Sequence, residues 1–308
     1  MRRALVFLLT TCPTVWAQIE TVVPSVPRLP LLRTELAVQA PRPGWALGMV
    51  TSVASDPSGL IYILQRGHQA DPVVVVDRQG RVVRSWGAGL FQLPHGIRLD
   101  PAGNVWTVDC ETSIVRKFTR AGRQLLEIHV GGQPKMEKTR FVGATDVAFA
   151  PNGHVFVADG YQNARILEYT AAGQKVREWG SHGTGPGQFH LPHGIAIDAA
   201  GIVYVADREN GRIQRFDLAG RHLGTWPSLG KAFSLKLHQG ALWLGTQPLD
   251  QPNGSPGWLM ELDLRSGQPR GLVESTGHHS LEVTAGGELL TGTQPNRVLY
   301  FRPSSAAR

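Results

Sequence analysis

Cysteine is close to absent: the 308 residues include two, Cys12 and Cys110. That count excludes a disulfide-stapled scaffold and a cysteine-built zinc site. Charge is sparse as well, at 18% Asp, Glu, Lys and Arg, too little for a chain that stays unfolded in water. The formal balance is +7, yet no five basic residues follow one another. Neither a nucleic-acid stripe nor a membrane-surface patch is therefore written into the chain. Long apolar runs are missing, since none reaches the roughly 18 residues of a spanning helix. No Ser-His-Asp order, phosphate-binding loop or cysteine pair points to other chemistry. The glycine-rich stretch from Gly180 to Gly187 lacks the strand-to-helix setting of a phosphate loop.

What the chain does have is 36 Gly, 21 Pro and 42% hydrophobic residues, which suits a large core of short strands joined by tight turns. Residues 1–17 place Arg2 and Arg3 before an apolar stretch and end on Val15-Trp16-Ala17, the form of a secretory signal peptide. A lipoprotein signal ending at Cys12 and a buried first strand are the alternatives. The signal implies a secreted or periplasmic protein. Cleavage after Ala17 would leave Cys110 alone, so no internal disulfide is expected and packing must hold the fold.

A short motif recurs: Gly, any residue, an aliphatic, then a large apolar residue. It stands at Gly59 to Tyr62, Gly103 to Trp106, Gly153 to Phe156, Gly201 to Tyr204, Gly240 to Trp243 and Gly287 to Leu290. The copies follow at intervals of about 40–50 residues, the period of propeller blades. Asp-Pro-Ser-Gly, Asp-Pro-Ala-Gly, Ala-Pro-Asn-Gly or Asp-Ala-Ala-Gly turns precede the first four, and alternating apolar residues such as Ile195 and Ile197 precede the turns. Two further strands follow each motif. Four strands in six copies predict an all-β, six-bladed β-propeller. The sixth copy runs out near Pro303 after three strands. The segment near Thr34 to Gln39, with Leu36 and Val38 alternating, is predicted to supply the missing outer strand and close the ring. The expected organisation is a signal peptide over 1–17 and a lead-in over 18–42, extended from Pro24 to Pro30. The propeller follows over 43–303 and a tail over 304–308.

Aligning the copies puts Thr51, His95, Thr145, His193, Phe233 and His279 at the opening of the innermost strand. Histidine thus occupies copies two, four and six. Alternate blades of a six-fold ring stand about 120° apart, so three imidazoles should converge at one height in the channel. Three neutral imidazoles with an open position form the ligand set of a catalytic zinc site. In copy six, the alternation of Leu281 and Val283 selects His279 over His278. Histidines such as His68, His154 and His222 read as surface or satisfied residues. Asp109 and Asp207, which recur after the second strand, read as hydrogen-bonding blade locks.

Several strings carry a family resemblance: LPHGI at 93–97 and 191–195, VADGYQNARI at 157–166 and VADRENGRIQRF at 205–216, with QRG at 65–67 and GHHSLEV at 277–283. They resemble the NHL-repeat propellers and, within those, the peptidyl-α-hydroxyglycine α-amidating lyases. The resemblance spans about residues 46 to 302. It implies zinc on His95, His193 and His279, a catalytic Tyr161 and two active-site arginines, Arg66 and Arg208. It also implies a channel calcium on backbone oxygens of Val53 and Ile97, although Ser280 stands where the family has an aspartate. Gly277 replaces the family's methionine, and Gln162, Tyr204 and Arg215 stand where some disulfide cysteines would be.

The implied reaction splits the C–N bond of a peptidyl-α-hydroxyglycine, or a related carbinolamide, into an amide and glyoxylate. The hydroxyl loses a proton and the amide nitrogen gains one. Zinc would stabilise developing negative charge as a Lewis acid. A free phenol titrates near 10, so Tyr161 needs a nearby cation to act as a base. Arg66 or Arg208 can supply that charge or grip the substrate carboxylate. The expected partner is a small-molecule or peptide substrate bound by a monomer, with no nucleic acid and no membrane span. The alternatives are a metal-dependent lactonase and a non-enzymatic envelope propeller that binds a protein or glycan.

Overall fold

The computed structural model describes residues 23–132, 139–227 and 230–304. The signal peptide assigned to residues 1–17, with Cys12, lies outside the described residues, as do 305–308 of the tail. Six four-stranded antiparallel sheets follow one another along the chain. Blade 1 comprises Val50–Ser55, Ile61–Gln65, Val73–Val76 and Val82–Trp86; blade 2 comprises Pro94–Leu99, Val105–Asp109, Ile114–Phe118 and Gln124–His129. Blade 3 comprises Ala144–Phe149, Val155–Asp159, Arg165–Tyr169 and Lys175–Trp179; blade 4 comprises Pro192–Ile197, Val203–Asp207, Arg212–Phe216 and His222–Pro227. Blade 5 comprises Lys231–His238, Ala241–Gln247, Gly257–Asp263 and Pro269–Ser275. Blade 6 takes Glu282–Val283, Leu289–Thr293 and Arg297–Pro303 from one end of the chain and Leu31–Glu35 from the other. The fold is the six-bladed propeller that the repeats predict. Among the described residues no helix is long and apolar enough to cross a membrane.

The recurring motif is a hairpin with a fixed chemistry. In blade 1 the Gly59 N–H donates to the Asp56 carbonyl at 2.9 Å, and Gly59 takes a φ of 90°, a left-handed conformation that favours glycine. The Asp56 carboxylate accepts the Ser58 and Leu60 N–H groups, and the Tyr62 hydroxyl three residues past the glycine donates to it at 3.2 Å. Blade 2 repeats this with Asp100 and Trp106 Nε1 at 3.0 Å, and blade 4 with Asp198 and the Tyr204 hydroxyl at 3.0 Å. Blade 3 carries Ala150 and Phe156, losing the acid and the polar ring tip together.

The apolar core is divided among the seams. Each of six buried clusters joins one blade to the next, as Tyr62, Leu64 and Val75 of blade 1 meet Ile97 and Phe118 of blade 2. The seam between blades 6 and 1 is built in the same way, with Leu290, Val298 and Tyr300 against Val50, Ile61 and Val74. The ring therefore closes through packing as well as pairing.

The closing strand is Leu31–Glu35, which pairs antiparallel with Arg297–Pro303 from Leu31↔Pro303 to Glu35↔Leu299. It starts three residues before the predicted Thr34. Leu36 still donates to the Val298 carbonyl, but its side chain and Val38 serve the seam with blade 1. The lead-in is pinned on both sides of this strand: Arg28 bridges Leu272 on the outer strand of blade 5, and Gln39 bridges Arg81 beside blade 1. The glycine-rich stretch at 180–187 is a connector. Arg212 donates to the carbonyls of Thr184, Gly185 and Gln188, and the strands Ser181–His182 and Gln188–Phe189 pair within it.

Candidate active site

In blades 1 to 5 the inner strand slips register at one place. The shift falls between Val50 and Ser52, Pro94 and Gly96, Ala144 and Asp146, Pro192 and Gly194, and Ala232 and Ser234. The extra residue in each case is Thr51, His95, Thr145, His193 or Phe233, and a bulge re-aims its residue. His95 and His193 are turned toward the axis in this way. His279 precedes the short inner strand of blade 6 and reaches the same place.

The three imidazoles are brought together. Ring centroids lie 5.0 Å apart for His95 and His193, 4.7 Å for His95 and His279, and 4.9 Å for His193 and His279. One ligand atom of each lies within 4.8 Å of the other two. His278 is elsewhere: its Nε2 meets Gln247 Oε1 at 3.0 Å and its ring packs on Phe233.

The three intervening blades orient these rings. His95 Nδ1 donates to the Thr145 carbonyl at 2.7 Å, His193 Nδ1 to Phe233 at 2.7 Å, and His279 Nδ1 to Thr51 at 3.1 Å. Each acceptor is the ring residue of the following blade. With the proton fixed on Nδ1, each Nε2 keeps its lone pair for a ligand, the arrangement found behind metal-bound histidines. Burial, with neighbouring positive charge, holds all three neutral: His95 and His193 fall well below the usual imidazole value, and His279 falls to about 3. The donor set thus fits a three-imidazole metal site.

The remaining predicted residues come from the loops that follow the second strands. Arg66 follows Gln65, Tyr161 stands two residues after Asp159, and Arg208 follows Asp207. The preceding polar residues anchor those loops. Gln65 Oε1 accepts the Gly48 N–H at 2.8 Å, and its amide donates to Ala70 and Asp71. Asp207 accepts the His190 N–H at 2.7 Å and Arg212 Nε at 2.7 Å. Asp109, in blade 2, accepts Gln92, Leu93, Glu111 and Thr112 N–H groups.

Tyr161 Oη lies 2.8 Å from His95 Nε2 and 3.4 Å from His193 Nε2. Burial pushes its phenol above the usual value, outweighing Arg208 and Arg66, which pull it down. Arg66 donates through Nε to the Pro94 carbonyl at 2.8 Å and lies over Phe141 at 5.6 Å. Among the described residues it makes no ion pair, and burial lowers its pKa. Arg208 pairs with Glu209 at 2.7 Å and lies over Phe233 at 4.8 Å. Asp207, Asp159 and Asp71 hold neither arginine; Asp207 and Asp159 pair with Arg212 and Arg165 instead.

Arg66, Phe141, Tyr161, Arg208 and His279 line a cavity of about 690 Å³. Beneath it, the three histidines border a space of about 10 Å³. Val53 and Ile97 lie buried on the innermost strands, each two residues beyond the ring position of its blade. Phe141 and Glu209 escape the sequence reading. Phe141 packs on Tyr161 at 4.9 Å, but it stands four residues before the ring position, where blades 2 and 4 carry Phe91 and Phe189, and so reads as a repeated core residue. Glu209 adjoins Arg208, and only coordinates show which acid the arginine takes.

Residues 91–118 and 189–216 match the NHL repeat. Over 248 residues the chain is 31% identical to a Caenorhabditis elegans protein named as a probable peptidyl-alpha-hydroxyglycine alpha-amidating lyase, covering 75% of this chain and 69% of that one. Over 200 residues it is 34% identical to the mouse peptidyl-glycine alpha-amidating monooxygenase, covering 55% of this chain but 20% of that much longer protein. A solved gluconolactonase-like protein shares the fold, with a TM-score of 0.63, 12% identity and coverage of 91% and 94%. The sequence match along three quarters of the chain, on a six-bladed NHL propeller, decides the assignment: the chain is an enzyme of the peptidyl-α-hydroxyglycine α-amidating lyase family.

Proposed function

We propose that the protein is a zinc-dependent lyase that cleaves the C–N bond of a carbinolamide ending in a carboxylate, such as a peptidyl-α-hydroxyglycine. The observation that carries this reading is the convergence of three neutral imidazoles beside a phenol and an arginine that pairs with no acid among the described residues. His95, His193 and His279 would hold the ion. Zinc bound there would supply divalent charge that favours the deprotonated forms of the phenol and the substrate hydroxyl.

The side chains do the rest. Arg66 offers its guanidinium to the substrate carboxylate, since no acid of the described protein neutralises it. Tyr161 takes the hydroxyl proton, the electron pair of the O–H bond forms the aldehyde, and the C–N bond breaks. The same phenol returns the proton to the departing amide nitrogen, leaving a peptide amide and glyoxylate. No water is consumed. Arg208, fixed by Glu209 and Phe233, keeps positive charge beside the phenol.

The lactonase-like neighbour shares the propeller at 12% identity, which speaks for the fold alone. The test is metal analysis of the purified protein with a glyoxylate assay on α-hydroxyhippurate. About one zinc per chain and glyoxylate release are expected. A zinc-loaded protein that releases none, or lactone hydrolysis that survives His95→Ala, would overturn the reading. The secretory signal belongs to the same proposal, and sequencing the N-terminus of the exported protein tests it.

A further inference from the structure

Six residues stand two places beyond the inward ring: Val53, Ile97, Val147, Ile195, Leu235 and Leu281. They are equivalent by repeat register. The calcium implied by the family resemblance would take backbone oxygens from two of them, Val53 and Ile97, and a carboxylate at the position of Ser280. Here the Ser280 hydroxyl instead accepts the Gly292 N–H at 3.3 Å.

A guanidinium lies at this level. Arg98 forks Asp146, Nε to Oδ1 at 2.9 Å and Nη2 to Oδ2 at 2.7 Å. It also donates to the carbonyls of Leu281 at 3.3 Å and Leu235 at 3.1 Å, two members of the same set of six. Asp146 in turn accepts the Ile195 N–H at 3.2 Å. Blades 2, 3, 4, 5 and 6 thus meet at one ion pair. Burial works against the charged guanidinium, but Asp146 and Glu282 raise its pKa above the ordinary value. Glu282, the other acid here, has its own cation in Lys236 at 2.7 Å. Neither carboxylate is left to attract a metal. The space between the histidines and this pair, about 10 Å³, admits about one water. Calcium needs roughly six to eight oxygens at about 2.3–2.6 Å.

We propose that Arg98 is the channel's structural cation, bracing the blades where the family resemblance assigns calcium, so that this protein binds no structural calcium. The proposal does not rest on the lyase reading, and its test reads binding and stability, not turnover. The full chain with its resident metal is dialysed against millimolar calcium, then calcium-free buffer. Calcium and zinc are counted in the same sample, and thermal unfolding is recorded with and without added calcium. The expected result is no retained calcium and an unchanged melting temperature. Arg98→Met, which strands Asp146, is expected to melt lower by on the order of 5 °C. One calcium per chain in the unmutated protein, or a melting temperature that calcium raises by several degrees, would overturn the proposal. So would an Arg98→Met protein as stable as the parent. Should that variant not fold, the calcium count on the unmutated chain still decides.

Discussion

The phenol of Tyr161 is pulled two ways. Burial favours its neutral form, and Arg208 and Arg66 favour the anion without prevailing. In the proposed role as a proton carrier it needs one more positive charge, which a metal on the adjoining histidines would supply. Tyr161→Phe keeps the ring packed on Phe141 and removes the oxygen. Turnover of α-hydroxyhippurate should fall by about 10²–10⁴-fold, with zinc content unchanged by metal analysis. Loss of zinc in this variant would instead make the tyrosine a ligand. The histidines carry a pH signature in the metal-free protein. His279 and His278 fall to about 3 and about 4, through burial first, and His95 and His193 shift the same way. An unfolded imidazole titrates near 6.5, so at mildly acidic pH the unfolded chain binds protons that the folded chain refuses. Stability is then full above about 6.5 and declines as pH falls through that window. Melting of the metal-free protein should drop between pH 7 and pH 5, and a flat profile would contradict the buried neutral state.

At the scale of elements, the hairpins were the readable part. Asp56, Gly59 and Tyr62 are tied by turn, backbone conformation and hydrogen bond, and the same three positions recur because the same bonds do. Tyr204→Phe leaves Asp198 short of one donor and should cost about 1 kcal/mol in chemical denaturation. The closing strand carries a weaker signal. Its paired residues Leu31–Glu35 are mostly exposed and show no alternation, so no hydrophobic pattern marks them. Leu36 and Val38 do alternate, because they pack against blade 1. Thr34→Pro removes an N–H from the pairing with Tyr300. The variant should melt several degrees lower and form oligomers through the opened edge, seen by calorimetry and size-exclusion chromatography. Melting and elution unchanged from the parent would show that packing alone closes the ring.

For the molecule as a whole, legibility followed repetition. The three histidines stand out because they hold one repeat position, and their alternation has a reason the sequence hides. The intervening residues Thr51, Thr145 and Phe233 contribute carbonyls, which any residue type carries. Arg98 and Asp146 each occur once at their repeat positions, opposite residues such as Ala54 and Gly96, so nothing marks them as partners before the ring is built. Stability is distributed over six seams, and Cys110 is buried and unpaired, its thiol pushed up to about 12 by burial. Thiol reductants should therefore leave the melting curve unmoved, and a lowered curve would reveal a disulfide that the described residues do not contain.

The strand Leu31–Glu35 meets its partner Arg297–Pro303 across nearly the whole chain. A ribosome releases the former long before the latter exists. Five blades can hydrogen-bond within themselves as they emerge, but the strand Leu31–Glu35 must wait for Arg297–Pro303 before the sixth is complete. Ring closure thus joins segments more than 260 residues apart, and activity should appear only after those two strands have paired.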